Sequence, residues 1–225
     1  MRQSVNEGSL MTVEEYVSED GHGPYGMWHV RDLLPPVVAD IRLVLVFESP
    51  YVDEVAAGIP VVGHAGQLAL DYLLSSKANG RSLGRVVAAQ HAAGNSRIAI
   101  LNTCNVPLAS VSDPDETGLD GDDWKLLESV RTSDAQTAMT MVRPEAKAVG
   151  RVLMTSLERR VNNLYLAPDA TLVASGVCAR RFLRSFKPTS GHVPLTVPHP
   201  SRRQWQNDPN SPHLREVRTL FRKYL

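Results

Sequence analysis

Four short apolar runs along the chain predict buried β-strands. Each run is rich in aliphatic or β-branched residues and lacks the alternation of apolar and polar positions that marks a half-exposed strand. Both faces of the sheet are therefore expected to be covered. Pro194 in the fourth run is typical of an edge strand or of a late strand start. The four runs are Arg42–Phe47, Arg97–Leu101, Thr171–Ser175 and Val193–Val197.

Helical periodicity between and after these runs predicts the rest of the framework. Apolar residues recur every three or four positions in these segments, as they do on the buried face of a helix. Pro144 and Pro212 fit the first turn of a helix, and Ser211 is a suitable N-cap for the last helix. The predicted helices are Ala65–Ser76, Pro144–Arg160, Gly176–Phe186 and Ser211–Tyr224.

Strands that alternate with helices predict parallel crossover connections. We therefore expect an α/β fold, a three-layer α/β/α sandwich around a central, mainly parallel four-stranded sheet. Residues 1–225 are expected to form one domain. Residues 1–40 would add a helical extension to it, around Val13–Tyr16 and Trp28–Leu34.

The composition is that of a globular protein, with 43% hydrophobic and 21% charged residues, which excludes the disordered and fibrous classes. Two cysteines, Cys104 and Cys178, are too few for a four-thiolate zinc site or for an iron–sulfur cluster held by four cysteines. The sequence has neither a signal-peptide pattern nor an apolar run of membrane-spanning length. We expect a cytoplasmic monomer with no membrane partner, no cofactor and no metal.

The charges are distributed unevenly although they cancel overall. Residues 1–140 contain 9 Lys and Arg against 19 Asp and Glu, whereas residues 141–225 contain 15 against 5. A basic surface built from the last third of the chain suits a nucleic-acid backbone, because Arg and Lys displace counterions from phosphates. Alternatively, the acidic and basic segments pack together and neutralise one another.

Candidate functional residues follow three of the predicted strands. Ligands of parallel α/β sheets bind beyond the carboxyl ends of the strands, and these segments cover residues 48–66, 102–107 and 199–205. The first contains several prolines and glycines, which tight turns and close approach to a ligand require. It also contains Asp53 and Glu54, which either orient a water molecule or form a solvated acidic surface.

The second and third segments contain one amide and one imidazole of interest. Asn102 directly follows a buried strand, and its amide can recognise a base edge bidentately or cap a turn. His199 lies between two prolines, where it can donate a hydrogen bond to developing negative charge. Ser201, Arg202 and Arg203 follow it and suit a phosphate partner.

These three segments together resemble the uracil-DNA glycosylase superfamily. The thermostable iron–sulfur class carries a Glu-Ala-Pro-Gly motif followed at fixed offsets by Gly-x-Pro-Phe-Val-Gly-x-Ala-Gly. Tyr51 is similar to the tyrosine of the classical Gln-Asp-Pro-Tyr motif, which blocks the 5-methyl group of thymine. Asn102 and the His199-Pro200-Ser201 loop resemble the uracil-reading asparagine and the His-Pro-Ser loop. The matching offsets of the first motif hold Glu48, Pro50, Gly58, Pro60, Val62, Gly63, Ala65 and Gly66.

The resemblance implies a DNA glycosylase of base excision repair that hydrolyses the N-glycosidic bond of uracil, or of a related deaminated base, in DNA. Ser49 stands where classical members have a water-orienting aspartate, and Val61 stands where a phenylalanine stacks on the base. The implied catalytic residues are His199, Glu48, Ser49 and Asp53. The implied base-binding residues are Asn102, Tyr51, Val61 and His64. The implied DNA-binding residues are Ser201, Arg202, Arg203, Gly176 and Arg180.

Two other functions and two local alternatives stay open. The same scaffold could bind nucleic acid without catalysis. An α/β hydrolase or a nucleotide-processing enzyme that acts on small molecules is disfavoured, because the sequence has no nucleophile elbow and no phosphate-binding glycine fingerprint. The arginines at 180, 181 and 184 either follow phosphates or solvate a helix face. Trp205 either wedges into DNA or covers the core of the domain.

Overall fold

The structure is a computed structural model that describes residues 12–18, 26–36, 40–75, 79–109, 117–132 and 144–225. Its centre is a four-stranded sheet in which every neighbouring pair is parallel, in the order β2-β1-β3-β4. This arrangement confirms the predicted fold class. The register places Phe47 beside Asn102 and Ser175 beside Val197, so the strand ends lie along one edge of the sheet. The strands are β1 Ile41–Phe47, β2 Ile98–Asn102, β3 Leu166–Ser175 and β4 Leu195–Val197.

Helices cover both faces of the sheet and create two apolar cores. Alternate residues of β1 point to opposite faces, so Val44 and Val46 enter one core while Leu43 and Leu45 enter the other. Helices α1, α5, α6 and α7 pack in the first core, and α3, α4, α8 and α9 pack in the second. The helices are α1 Val13–Ser18, α2 Val52–Ala57, α3 His64–Leu74, α4 Leu83–Ala92, α5 Gly121–Thr132, α6 Pro144–Asn162, α7 Val177–Arg184, α8 Gln204–Asn207 and α9 Pro212–Tyr224.

The segment Trp28–Leu34, which the sequence analysis assigned to a helical extension, is mostly extended. Only a 3-10 turn at Gly26–Trp28 is helical there, whereas Val13–Ser18 does form a helix. Leu33 forms an antiparallel bridge to Ile100, with both N–H to O=C distances at 2.9 Å. The prediction of a helix was wrong because β2 is an edge strand, and pairing with its free backbone groups outweighs local helix preference.

Strand β4 begins at Leu195, two residues later than predicted. Pro194 has no N–H to donate to a ladder, which agrees with the late start. Helix α9 begins with Ser211 at the N-cap and Pro212 in its first turn, as predicted. Within the described ranges, no helix combines the length and the apolar character needed to cross a membrane.

Candidate functional site

An open cavity of about 900 Å³ lies beyond the carboxyl ends of β1, β2 and β4 and beside the start of α7. The three segments that the sequence singled out meet here, as the topology of a parallel sheet requires. Arg202 and Arg203 are exposed on the turn that follows Ser201 and do not line the cavity. The predicted site residues in its wall are Glu48, Ser49, Tyr51, Asp53, Val61, His64, Asn102, Gly176, Arg180, His199 and Ser201.

Asn102 forms the end of β2 and presents a buried carboxamide in the cavity wall. The residue is only 2% exposed, and neither its Oδ1 nor its Nδ2 has a well-formed hydrogen bond to any described residue. Burial raises the pKa of Glu54, and the nearby Asn102 amide, like the two backbone N–H groups that Glu54 accepts, opposes that change. A buried amide without well-formed hydrogen bonds costs about 1–3 kcal/mol, and such a group in a native protein points to a ligand or a functional role.

Arg160 on α6 holds the backbone that carries this amide. Its Nη1 donates to the carbonyl oxygen of Asn102 at 2.8 Å, to Asp32 Oδ1 at 2.8 Å and to Asn105 Oδ1 at 3.1 Å. Its Nη2 donates to the carbonyl oxygen of Thr103 at 2.8 Å. Burial raises the pKa of Asp32, and the guanidinium opposes that change. The segment after β2 is therefore fixed through its main chain while the Asn102 side chain is left to bind something else.

His199 follows β4, and its hydrogen bonds define its protonation state. The backbone N–H of Ser201 donates to Nδ1 at 3.3 Å, and the Ser201 hydroxyl lies 2.9 Å from the same atom. A backbone N–H can only donate, so Nδ1 is an acceptor and the neutral ring carries its proton on Nε2. Burial lowers the pKa of His199, with an opposing effect of Glu48 and a reinforcing effect of Arg131. The site thus contains a neutral imidazole with one N–H to donate.

Gly176 allows His199 to occupy this place. Its φ is +95°, and an added Cβ would lie 3.1 Å from the Cβ of His199. Its N–H donates to the carbonyl oxygen of Val197 at 2.9 Å, which ties the start of α7 to the end of β4. The Phe47 ring lies edge-on to the imidazole, with 6.3 Å between centroids and an interplanar angle of 88°. A side chain at position 176 would therefore disturb the histidine.

The loop after β1 is held by Glu54, which sequence reasoning left as a solvated or water-orienting acid. The side chain is buried, and its two oxygens accept the N–H groups of Val61 and, at 3.0 Å, of Tyr51. Val61 has a φ of +57°, a conformation that β-branched residues rarely adopt. Gly84 donates to the Val61 carbonyl oxygen at 3.1 Å, and a Cβ on Gly66 would lie 1.9 Å from that oxygen. Surrounding contacts thus hold a strained residue in the cavity wall.

Two other carboxylates in the cavity keep some hydrogen-bonding capacity. Glu48 Oε1 accepts from Arg131 Nη1 at 2.7 Å, and its second oxygen accepts no hydrogen bond from a described residue. Asp53 is exposed beside Gly63, where an added Cβ would lie 3.0 Å from Asp53 Oδ2. Sequence reasoning missed Arg131, because it belongs to a helix remote from the strand-end segments.

The structure separates the arginines of α7 and Trp205, for which DNA contact was one of two interpretations, into surface and core residues. Arg180 lines the cavity and Arg184 is exposed, whereas Arg181 is buried and donates to the carbonyl oxygen of Val130. Trp205 is fully buried, and its Nε1 donates to the carbonyl oxygen of Pro198 at 2.7 Å. The interpretation of Trp205 as a core residue is confirmed, and the interpretation as a DNA wedge is wrong. Its hydrogen bond instead supports the loop that carries the histidine.

Neither cysteine is available as a nucleophile or ligand in this structure. Cys104 and Cys178 are buried free thiols, and burial raises the pKa of both, to about 12 for Cys104. In the part of the chain that the structure describes, no three histidine, cysteine or acidic side chains are grouped so that they could hold a metal ion. The sequence matches no protein-family model and no curated protein.

Proposed function

We propose that the protein is a DNA glycosylase that hydrolyses the N-glycosidic bond of uracil, or of a related deaminated base, in DNA. One observation carries the proposal: the buried carboxamide of Asn102, without well-formed hydrogen bonds, shares a cavity with the neutral imidazole of His199. The amide provides a donor and an acceptor for the pairing edge of a planar base. The imidazole provides a donor for charge that develops on that base.

Recognition of uracil follows from the amide. The uracil edge offers an acceptor at O4 and a donor at N3, which Nδ2 and Oδ1 of Asn102 complement. Cytosine offers the reverse pattern. In its ionised form the nearby Glu54 carboxylate can only accept hydrogen bonds, and in that form it favours the amide orientation with Nδ2 on its side. A reversed base would leave buried groups unpaired at about 1–3 kcal/mol.

The chemical step is hydrolysis at C1′ of the deoxyribose. The bond between C1′ and N1 breaks and its electron pair leaves with the base, while the oxygen of a water molecule bonds to C1′. The proton that this water loses neutralises the departing base anion, so the products are the free base and an abasic site. The Nε2–H of His199 donates to O2 of the departing base, where negative charge accumulates only as the bond breaks. Glu48 and Asp53 are the carboxylates that can orient the water, because both oxygens of Glu54 are occupied by backbone N–H groups.

Access to the cavity requires an extruded nucleotide, since a stacked base cannot reach a buried amide. Tyr51, which is 57% exposed, lies at the rim with His64. Arg180 in the wall and the exposed Arg202 and Arg203 nearby are suited to the flanking phosphates. Binding through these side chains should weaken as the salt concentration rises.

The direct test incubates excess protein with single- and double-stranded oligonucleotides that contain one uracil, and then cleaves abasic sites with alkali. We expect strand scission from the wild type and none from Asn102→Ala or His199→Ala. Asn210→Ala and His213→Ala are matched controls, because both residues are exposed and outside the cavity wall. Absence of scission with folded protein would contradict the proposal. Salt-dependent DNA binding without product would instead support a non-catalytic binder.

A further inference from the structure

Arg131 forms a charged pair with Glu48 in the cavity wall, and the proposed reaction gives Arg131 no role. Arg131 Nη1 donates to Glu48 Oε1 at 2.7 Å, and both side chains are about a quarter exposed, at 26%. The guanidinium is itself fixed by its own helix, since its Nε donates to Glu128 Oε2 at 2.7 Å and its Nη2 pairs with the other oxygen. Arg131 therefore has a defined position relative to the cavity.

Glu48 and Arg131 line the same cavity as His199. The imidazole is in contact with Ser201 in its own loop, with the Phe47 edge from β1 and with Gly176 before α7, none of which carries a charge. The charged groups that affect it are Glu48 after β1 and Arg131 on α5. The other titratable groups in the cavity wall are Tyr51, Asp53, Glu54, His64 and Arg180.

We propose that Arg131 is a positioning residue of this site, which holds the Glu48 carboxylate and, together with the burial of the ring, keeps the His199 imidazole neutral with its proton on Nε2. An unneutralised carboxylate in this cavity would favour an imidazolium. An imidazolium would need a proton on Nδ1, where the Ser201 N–H already donates. Arg131 removes that conflict by compensating the charge of Glu48. The consequence for catalysis rests on the proposed glycosylase function, whereas the protonation state itself does not.

The test follows the titration of His199 by NMR in protein without DNA, using nitrogen-15 shifts of the histidine rings and a His199→Gln variant for assignment. Arg131→Gln should raise the pKa of His199, because Glu48 then acts on it alone. Arg131→Lys keeps the charge and should restore most of the wild-type value. Lys125→Gln is the matched control, since it removes one positive charge from the same helix at a side chain that is 77% exposed and paired with Asp122.

The double variant Arg131→Gln with Glu48→Gln tests the same point without leaving an unpaired carboxylate. In the double variant, His199 should titrate near its wild-type value. In Glu48→Gln alone the pKa of His199 should fall, because Arg131 then acts on it without the carboxylate. This arm also decides the question if Arg131→Gln fails to fold. The proposal would be overturned by an unchanged His199 titration in Arg131→Gln or by an equal change in Lys125→Gln. A double variant whose His199 pKa lies far from the wild-type value would overturn it as well.

An activity arm links the charge pair to excision. In Arg131→Gln the rate at about pH 6, relative to that at about pH 8, should fall about tenfold, the effect of one neighbouring charge on a titrating group. Arg131→Lys should recover the wild-type profile. A wild type that excises no uracil would refute the proposed function alone, because the NMR titration would still support or overturn the role of Arg131.

Discussion

Replacing Asn102 with leucine should stabilise the protein and abolish uracil excision. The Asn102 side chain is 2% exposed, and its two polar atoms lack well-formed hydrogen bonds to described residues. Removing such a group recovers about 1–3 kcal/mol, and leucine has a similar shape. Glu54 keeps its two backbone donors in the variant. For a domain of this size, each kcal/mol raises Tm by about 2–4 °C, so we expect Asn102→Leu to melt several degrees higher.

Urea and thermal unfolding, with the oligonucleotide assay in parallel, would test this prediction. Asn105→Leu is the matched comparison, because Asn105 Oδ1 accepts from Arg160 at 3.1 Å. Loss of that acceptor from the partly buried Arg160 guanidinium should lower the free energy of unfolding by about 1–3 kcal/mol. If Asn102→Leu lowers the free energy of unfolding as much as Asn105→Leu does, the Asn102 amide stabilises the folded protein. The assignment of this amide to a ligand would then be refuted.

Three further variants or conditions test the site and its supports. His199→Gln should reduce excision by about 10²–10³-fold with a melting temperature close to the wild type, as measured by single-turnover kinetics and calorimetry. Gly176→Ala should lower the free energy of unfolding by about 1–3 kcal/mol and slow excision, because φ is +95° and the new Cβ would crowd His199. Burial lowers the pKa of His91, whose Nε2 donates to the Ile98 carbonyl oxygen at 2.8 Å. Its contribution to stability should be complete above the ordinary value of 6.5 and should decline below it, because the unfolded chain then binds more protons. Urea unfolding of wild type and His91→Gln at several pH values measures that difference, and equal pH dependence of the two proteins would exclude it.

The central sheet could be predicted because its strands are covered on both faces. Such strands are continuous apolar runs, and the sequence shows them without any tertiary information. The same topology fixes where their carboxyl ends meet, so Asn102 and His199 could be placed at one edge from their positions in the chain. The helices Leu83–Ala92 and Gly121–Thr132 were not predicted.

Parts of the framework depended on contacts between remote segments. Leu33 is extended because the edge of β2 offers it backbone partners. Trp205 is a core residue because the loop after β4 turns its ring inward onto Tyr72, with 5.8 Å between the ring centroids. No local pattern distinguishes a tryptophan that faces the core from one that faces a ligand, since both are apolar residues near a loop.

The chemistry of the site also depends partly on the sequence and partly on the tertiary structure. The amino-acid sequence alone determined which amide and which imidazole follow the strands. Only the tertiary structure decided that the buried Asn102 amide has no well-formed hydrogen bond, that His199 is neutral, and that Arg131 and Arg160 reach the site from helices. These properties depend on burial and on partners far apart in the chain. A helix that carries a charged side chain looks the same in sequence whether that side chain faces solvent or a cavity.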